Sequence, residues 1–209
     1  MKPIKCWHFL QNNKRLQWGT KEVVKVGKTY TCKGNIVMCE NGLHGSRKIL
    51  DALSYAPGSI CCRVEIWGEA IEGNDKLVGR NRKVLSIIDA TEILRKFARM
   101  CALDVIHLWY PPDVVVRYLK TGDESLREAA GDAAWAAKDA IWDAWEAAGD
   151  AAWAAWAAGD AGDAAWAAGD AAGAARNALA ARNATWDARD VAGAKQNHRL
   201  TTMITRAIK

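Results

Sequence analysis

Apolar positions along this chain keep two different rhythms. In the front part they alternate over short stretches. Ile60, Cys62, Val64 and Ile66 interleave with Cys61, Arg63, Glu65 and Trp67, so residues 59–67 read as a strand with one apolar face. Ile4-Lys5-Cys6-Trp7-His8-Phe9-Leu10 reads as a first strand. Val23-Val24-Lys25-Val26 and Thr29-Tyr30-Thr31-Cys32 are further β-prone pieces separated by Gly27, and residues 83–88 are another strand candidate. Between them, Ile49, Leu50 and Leu53 share one face of a short helix predicted over residues 46–55 and stopped by Pro57-Gly58.

Helical spacing takes over further on. Asp89-Ala90-Thr91-Glu92 has the form of a capping box with Asp in the capping position, and the helix it opens should run to about Trp109 before Pro111-Pro112. A short helix over residues 114–120 ends at Thr121-Gly122. From Ala129 to Ala194 about half the residues are alanine, punctuated by Trp and Asp. At about 100° per residue Trp135, Trp142, Trp145, Trp153 and Trp156 fall within about 80°, and Asp132, Asp139, Asp143 and Asp150 within a neighbouring sector of about 40°. A single helix over residues 125–196 would be about 108 Å long, so a helical hairpin or bundle is the more economical form. Residues 196–209 form a basic amphipathic end with Leu200, Met203 and Ile204 on one side.

The expected fold class is therefore α+β: a small strand-rich domain over residues 1–124, followed by an alanine-rich helical region over residues 125–209. Charge divides along the same line. Residues 1–120 carry 20 Lys and Arg against 11 Asp and Glu, a net +9, while residues 121–209 carry 9 against 13, a net −4. The basic front suits an anionic partner: a nucleotide, a nucleic acid or an acidic protein surface. Its lysines are scattered and no nucleic-acid-binding motif accompanies them, which makes nucleic acid the weaker choice.

No apolar signal stretch follows Met1, and no run approaches the roughly 18 apolar residues of a membrane span. The six cysteines form no CxxC pair. Reduced thiols in a cytoplasmic protein, with no membrane partner, are expected. Cys6 and His8 share a strand face, but two residues do not make a metal site. His107, among apolar helix residues, is expected in the core, and His44 beside two glycines also fits a turn residue satisfied by backbone.

Gly42-Leu43-His44-Gly45-Ser46, Ala52-Leu53-Ser54-Tyr55-Ala56-Pro57-Gly58 and Cys62-Arg63-Val64-Glu65 with Gly68 resemble a domain family of phage and bacterial genomes that carries no assigned activity. Its members often have a similar alanine-rich, Trp-dotted tail. The order of these pieces is also similar to ADP-ribosyltransferases. There a Gly-hydrophobic-aromatic-small-Ser strand end, a Tyr-bearing helix and an apolar strand form the nicotinamide pocket. That resemblance implies a pocket lined by Leu43, His44, Gly45, Ser46 and Tyr55, with His8 meeting the ribose, and NAD or another nucleotide as ligand. It also implies a glutamate on a later strand, yet the matching run Asn81-Arg82-Lys83 is cationic. A cation there opposes the positive charge that develops on the sugar.

Three readings follow. The first is a phage or prophage accessory protein that acts by binding, sequestering a nucleotide signal or inhibiting a host defence factor. The second is an active transferase-like enzyme, disfavoured by the missing acid. The third is a structural homo-oligomer driven by the tail, in which the tryptophan stripe packs helix on helix; exposed, the same stripe would grip a partner protein.

Overall fold

The computed structural model describes residues 2–16, 22–108, 110–140 and 186–208. The chain is α+β and divides into two compact units, Met1–Ala90 with Thr201–Lys209, and Thr91–Leu200.

The first unit is an antiparallel sheet. Strand β1 (Ile4–Leu10) pairs with β4 (Ile60–Glu72), β4 pairs with β5 (Leu77–Asp89), and β2 (Thr29–Thr31) and β3 (Leu43–Gly45) both pair with β5. Just beyond β3, Ser46 bridges Trp7 of β1 through two backbone hydrogen bonds of 2.8 and 2.9 Å. The path β1-β4-β5-β3 therefore comes back to β1 at this one bridge, which covers part of the β1 edge and helps enclose an interior. Cys6, Leu10, Cys62, Val64 and Val84 belong to the apolar cluster that fills it. Helix α1 (Ile49–Leu53) packs against β1 with Ile49, Leu50, Ala52 and Leu53 buried.

Several elements differ from their sequence outlines. Residues 23–26 form no strand: Val24 alone is buried, Val23 makes one isolated bridge with Arg15, and Val26 lies 59 % exposed. High β-propensity counts for little where only one side chain in four has a surface to pack on. Helix α1 is shorter than expected. Strands β4 and β5 are both longer, with irregularities at Arg63/Val64 and Trp67/Ala70 that let the long hairpin bend. The polar run Arg80-Asn81-Arg82 stays within β5 because each side chain finds a place. Arg80 pairs with Glu69 and donates to the Cys32 and Gly34 carbonyls, while Asn81 accepts from Thr31.

The second unit is helical. Helix α2 (Thr91–Val105) buries Leu94, Phe97, Ala98, Cys101 and Ala102, the one-sided spacing of an amphipathic helix. It starts at Thr91, with Asp89 still in β5, and gives way to a 3-10 turn over Ile106–Leu108. His107 is exposed on that turn, not in the core, because the tighter winding ends the helical register that placed it on the apolar face. Helix α3 (Asp113–Thr121) ends at Gly122, whose left-handed φ of 70° lets its N–H cap the Tyr118 carbonyl at 2.7 Å. Helix α4 (Arg127–Ala140) packs on α3 with Ala130 and Ala134 buried. Helix α5 (Trp186–Ile208) is divided between the units, with the fully buried Ile204 in the first and the fully buried Leu200 in the second. Within this unit Arg199 grips Asp104 with two hydrogen bonds of 2.8 and 3.2 Å. Among the described residues no helix is long and apolar enough to cross a membrane.

Of the tail tryptophans, Trp135 lies on α4, whereas Trp142, Trp145, Trp153 and Trp156 fall outside the described residues, as does the turn of the expected hairpin.

Candidate functional site: a cavity with a cationic floor

The first unit holds a cavity of about 360 Å³. His8, Leu43, His44, Gly45, Ser46 and Tyr55 all line it, although they come from β1, β3 and the segment after α1. The fold brings them together by closing β3 against both β5 and β1. That closure needs a particular backbone at Gly42, whose φ of 140° lies in the region that glycine favours; a Cβ there would sit 2.3 Å from Val78 Cγ2.

Among the other lining residues, Trp7 and Phe9 alternate along β1 with His8, and Lys76 and Arg82 supply charge. Trp7 is itself covered by the Arg63 guanidinium, 4.3 Å from its ring centroid. Among the described residues no Asp or Glu lines the cavity.

Arg82 is the unusual member. It is 3 % exposed, yet among the described residues no carboxylate lies within ion-pair distance of it. Its Nη1 donates to the His44 carbonyl at 2.9 Å, and its buried Nε has no acceptor among the described residues. Burial pulls its pKa down to about 10, so it remains a cation at neutral pH.

That charge shapes its neighbours. Burial first, then the field of Arg82 and the proximity of His44, hold the His8 pKa well below its ordinary value. Burial, Lys76 and Arg82 lower that of His44, against an opposing hydrogen bond to the Gly42 backbone. Both imidazoles are therefore neutral at neutral pH. His44 Nε2 accepts the Cys39 N–H at 3.1 Å, which orients the ring, whereas no hydrogen bond ties the His8 ring to any described residue.

The rim is built differently. Tyr55 is 49 % exposed, its hydroxyl donates to Asp75, and Lys76 Nζ lies 4.0 Å from its ring centroid. The hydrogen bond to Asp75 raises the tyrosine pKa. Asp75 and Lys76 sit at the tip of the β4–β5 hairpin, so this turn reaches over the mouth.

The cysteines divide by position. Cys39 lines the cavity and is exposed, while burial pushes the Cys6 thiol to about 11 and the Cys62 thiol to about 12. The latter two belong to the packed core, where a thiol behaves as a small hydrophobe.

Lys76, Trp7 and Phe9 were not singled out as cavity residues by the sequence pattern. Arg82 was singled out, as the cation on the strand where the transferase resemblance implies an acid, and it stands in the cavity.

Fold and site together define an α+β domain with a strand path that comes back to β1 and a cation-floored cavity. A domain of unknown function (DUF7666) covers residues 4–96, the stretch that contains all five strands and every residue lining the cavity. No curated protein and no solved structure matches the chain.

Proposed function

We propose that the protein acts by binding, and that the cavity of its first unit takes a nucleotide-class anion. The observation that carries this reading is Arg82, a cation 3 % exposed and without a carboxylate partner among the described residues. An unpaired buried charge costs several kcal/mol, roughly, in stability. A chain that keeps one at a cavity wall gains if the counter-charge arrives with a ligand. Tyr55 offers ring surface at the mouth, and the volume lies within the roughly 300–1,000 Å³ of ligand sites.

On this reading the protein is a phage or prophage accessory factor of the bacterial cytosol that sequesters a nucleotide signal. The phage and bacterial setting rests on the resemblance of the Gly42–Ser46, Ala52–Gly58 and Cys62–Gly68 runs. The six free cysteines among the described residues suit a reducing compartment. Taken with the ADP-ribosyltransferase resemblance, Arg82 favours binding over transfer, because it opposes an oxocarbenium-like sugar.

The test is native mass spectrometry of the full chain purified from bacterial cytosol, beside Arg82→Gln with its near-ultraviolet dichroism as a check of folding. A nucleotide-sized adduct on the wild type, absent from the folded variant, is expected. A bare polypeptide mass that also fails to bind added AMP or NAD overturns the proposal. Transfer of label from NAD to host protein, abolished by changing His44 or Tyr55, replaces it with the enzymatic reading.

A further inference from the structure

Resting on the nucleotide reading, we propose that the cavity takes its ligand anion first and selects a terminal phosphate monoester over the internal pyrophosphate of a dinucleotide. The gradient of exposure sets the direction. Arg82, 3 % exposed, marks the floor, and Tyr55, 49 % exposed, marks the mouth. Charge belongs at the first and a ring at the second.

The donors suit a phosphoryl group better than a carboxylate. Two nitrogen-bearing side chains, Arg82 and His8, line the deep part of the cavity, and Lys76 adds a second positive charge at its rim; among the described residues no carboxylate lines it. Arg82 has committed Nη1 to the His44 carbonyl and leaves Nε without an acceptor among the described residues, while the His8 ring carries no hydrogen bond to any of them. A phosphate monoester presents three acceptor oxygens and up to two negative charges, which suit the Arg82 and His8 donors at the floor and the added attraction of Lys76 at the rim. A carboxylate presents two oxygens and one charge.

Size argues against a pyrophosphate. In a dinucleotide the diphosphate is flanked by a nucleoside on both sides, so bringing it to the floor drives one nucleoside past Arg82. A cavity of about 360 Å³ is near the lower end of ligand sites and small for a nucleoside on each side of Arg82. A terminal phosphate reaches the floor with its sugar and base trailing towards Tyr55.

His8 adds a proton-linked element to the same end. Burial and then the Arg82 charge hold its pKa low, and a bound dianion opposes the second of these.

Calorimetric titration of the full chain with AMP, adenosine, NAD and ribose 5-phosphate at neutral pH and fixed ionic strength tests the proposal. AMP is expected to bind roughly 10- to 100-fold more tightly than adenosine or NAD, the range of one or two charge-assisted hydrogen bonds. Arg82→Gln should bring AMP down to the adenosine level and leave adenosine unchanged. If that variant does not fold, Lys76→Met at the mouth should lower AMP affinity selectively in the same way. NAD or adenosine binding as tightly as AMP overturns the terminal-phosphate inference and leaves the nucleotide reading standing. Ribose 5-phosphate binding as tightly as AMP does the reverse. Failure of all four to bind overturns both.

Discussion

Arg82 in the sheet unit and Arg199 in the helical unit are both arginines held largely out of water, and the chain provides for them in opposite ways. Arg199 is gripped by both carboxylate oxygens of Asp104. Arg82, more deeply buried, receives one carbonyl and no acid among the described residues. The helical unit matches its buried charge internally, whereas the sheet unit leaves a charge unmatched at the wall of a cavity. Self-satisfied polar groups hold a fold together. An unsatisfied one beside open space marks a place where something else completes the structure.

The largest effect that can break this comparison comes from replacing each arginine by methionine. Arg199→Met leaves Asp104 without its partner and should destabilise the chain by roughly 1–2 kcal/mol, a figure already reduced for the partial exposure of the pair. Arg82→Met removes an unpaired buried cation and should be neutral or stabilising, by up to about 4 kcal/mol, while abolishing anion binding. Urea unfolding of both variants decides it. If Arg82→Met loses as much stability as Arg199→Met, Arg82 is structural and the contrast collapses.

Next in size is the strand closure that creates the cavity. Gly42→Ala places a Cβ 2.3 Å from Val78 Cγ2 at a φ of 140° and should cost about 1–3 kcal/mol in unfolding free energy. The helical unit has a counterpart in Gly122, whose added Cβ would meet the Arg99 guanidinium, the end of a flexible side chain, at 2.4 Å. Gly122→Ala should therefore cost less than Gly42→Ala and leave ligand binding intact. Equal losses in both would remove the special standing of the β3 turn.

These two comparisons also indicate how far the sequence alone reaches. Alternation marks the core of β4, because Ile60, Cys62, Val64 and Ile66 all face one packed interior, whereas β1 is legible from its β-prone run alone. Alternation failed for the first half of β5, where Gly79, Arg80, Asn81 and Arg82 replace an apolar stripe by individually satisfied or ligand-facing groups. It failed in the other direction at Val23–Val26, where β-prone residues lack a surface. His8 and Arg82 lie on strands that are not neighbours in the sheet, and their meeting depends on the Trp7–Ser46 closure, a long-range event with no local signal. The Tyr55–Asp75 contact spans twenty residues and depends on how far the β4–β5 hairpin extends.

Acidification separates the two units by a smaller effect. A histidine whose folded pKa is depressed contributes stability that is fully present above its unfolded value near 6.5 and is lost as pH falls through the folded one. His8 and His44 both belong to this case. Stability should therefore fall as pH drops below about 6.5, before most carboxylates titrate. Thermal unfolding followed through that range should show a decline in the wild type that is flattened in His8→Asn. Saturating phosphate ligand should reduce the decline as well, by offsetting the Arg82 field. An identical slope in His8→Asn would place the acid sensitivity outside the cavity.

The smallest expected effect lies at the mouth. Tyr55→Phe removes the hydroxyl that Asp75 accepts but keeps the ring and its contact with Lys76. With the residue half exposed, water replaces the lost partner, and stability should change by less than about 0.5 kcal/mol. If the ring stacks on a ligand base, AMP affinity should survive this change and fall in Tyr55→Ala. If instead the hydroxyl tethers the hairpin tip over the cavity, Tyr55→Phe should speed ligand dissociation as much as Tyr55→Ala does. Stopped-flow release of a fluorescent AMP analogue from both variants distinguishes a stacking wall from a latch. Equal and unaltered release in both would confine recognition to the cationic floor, sharpening the contrast between an arginine that waits for its partner and one that already has it.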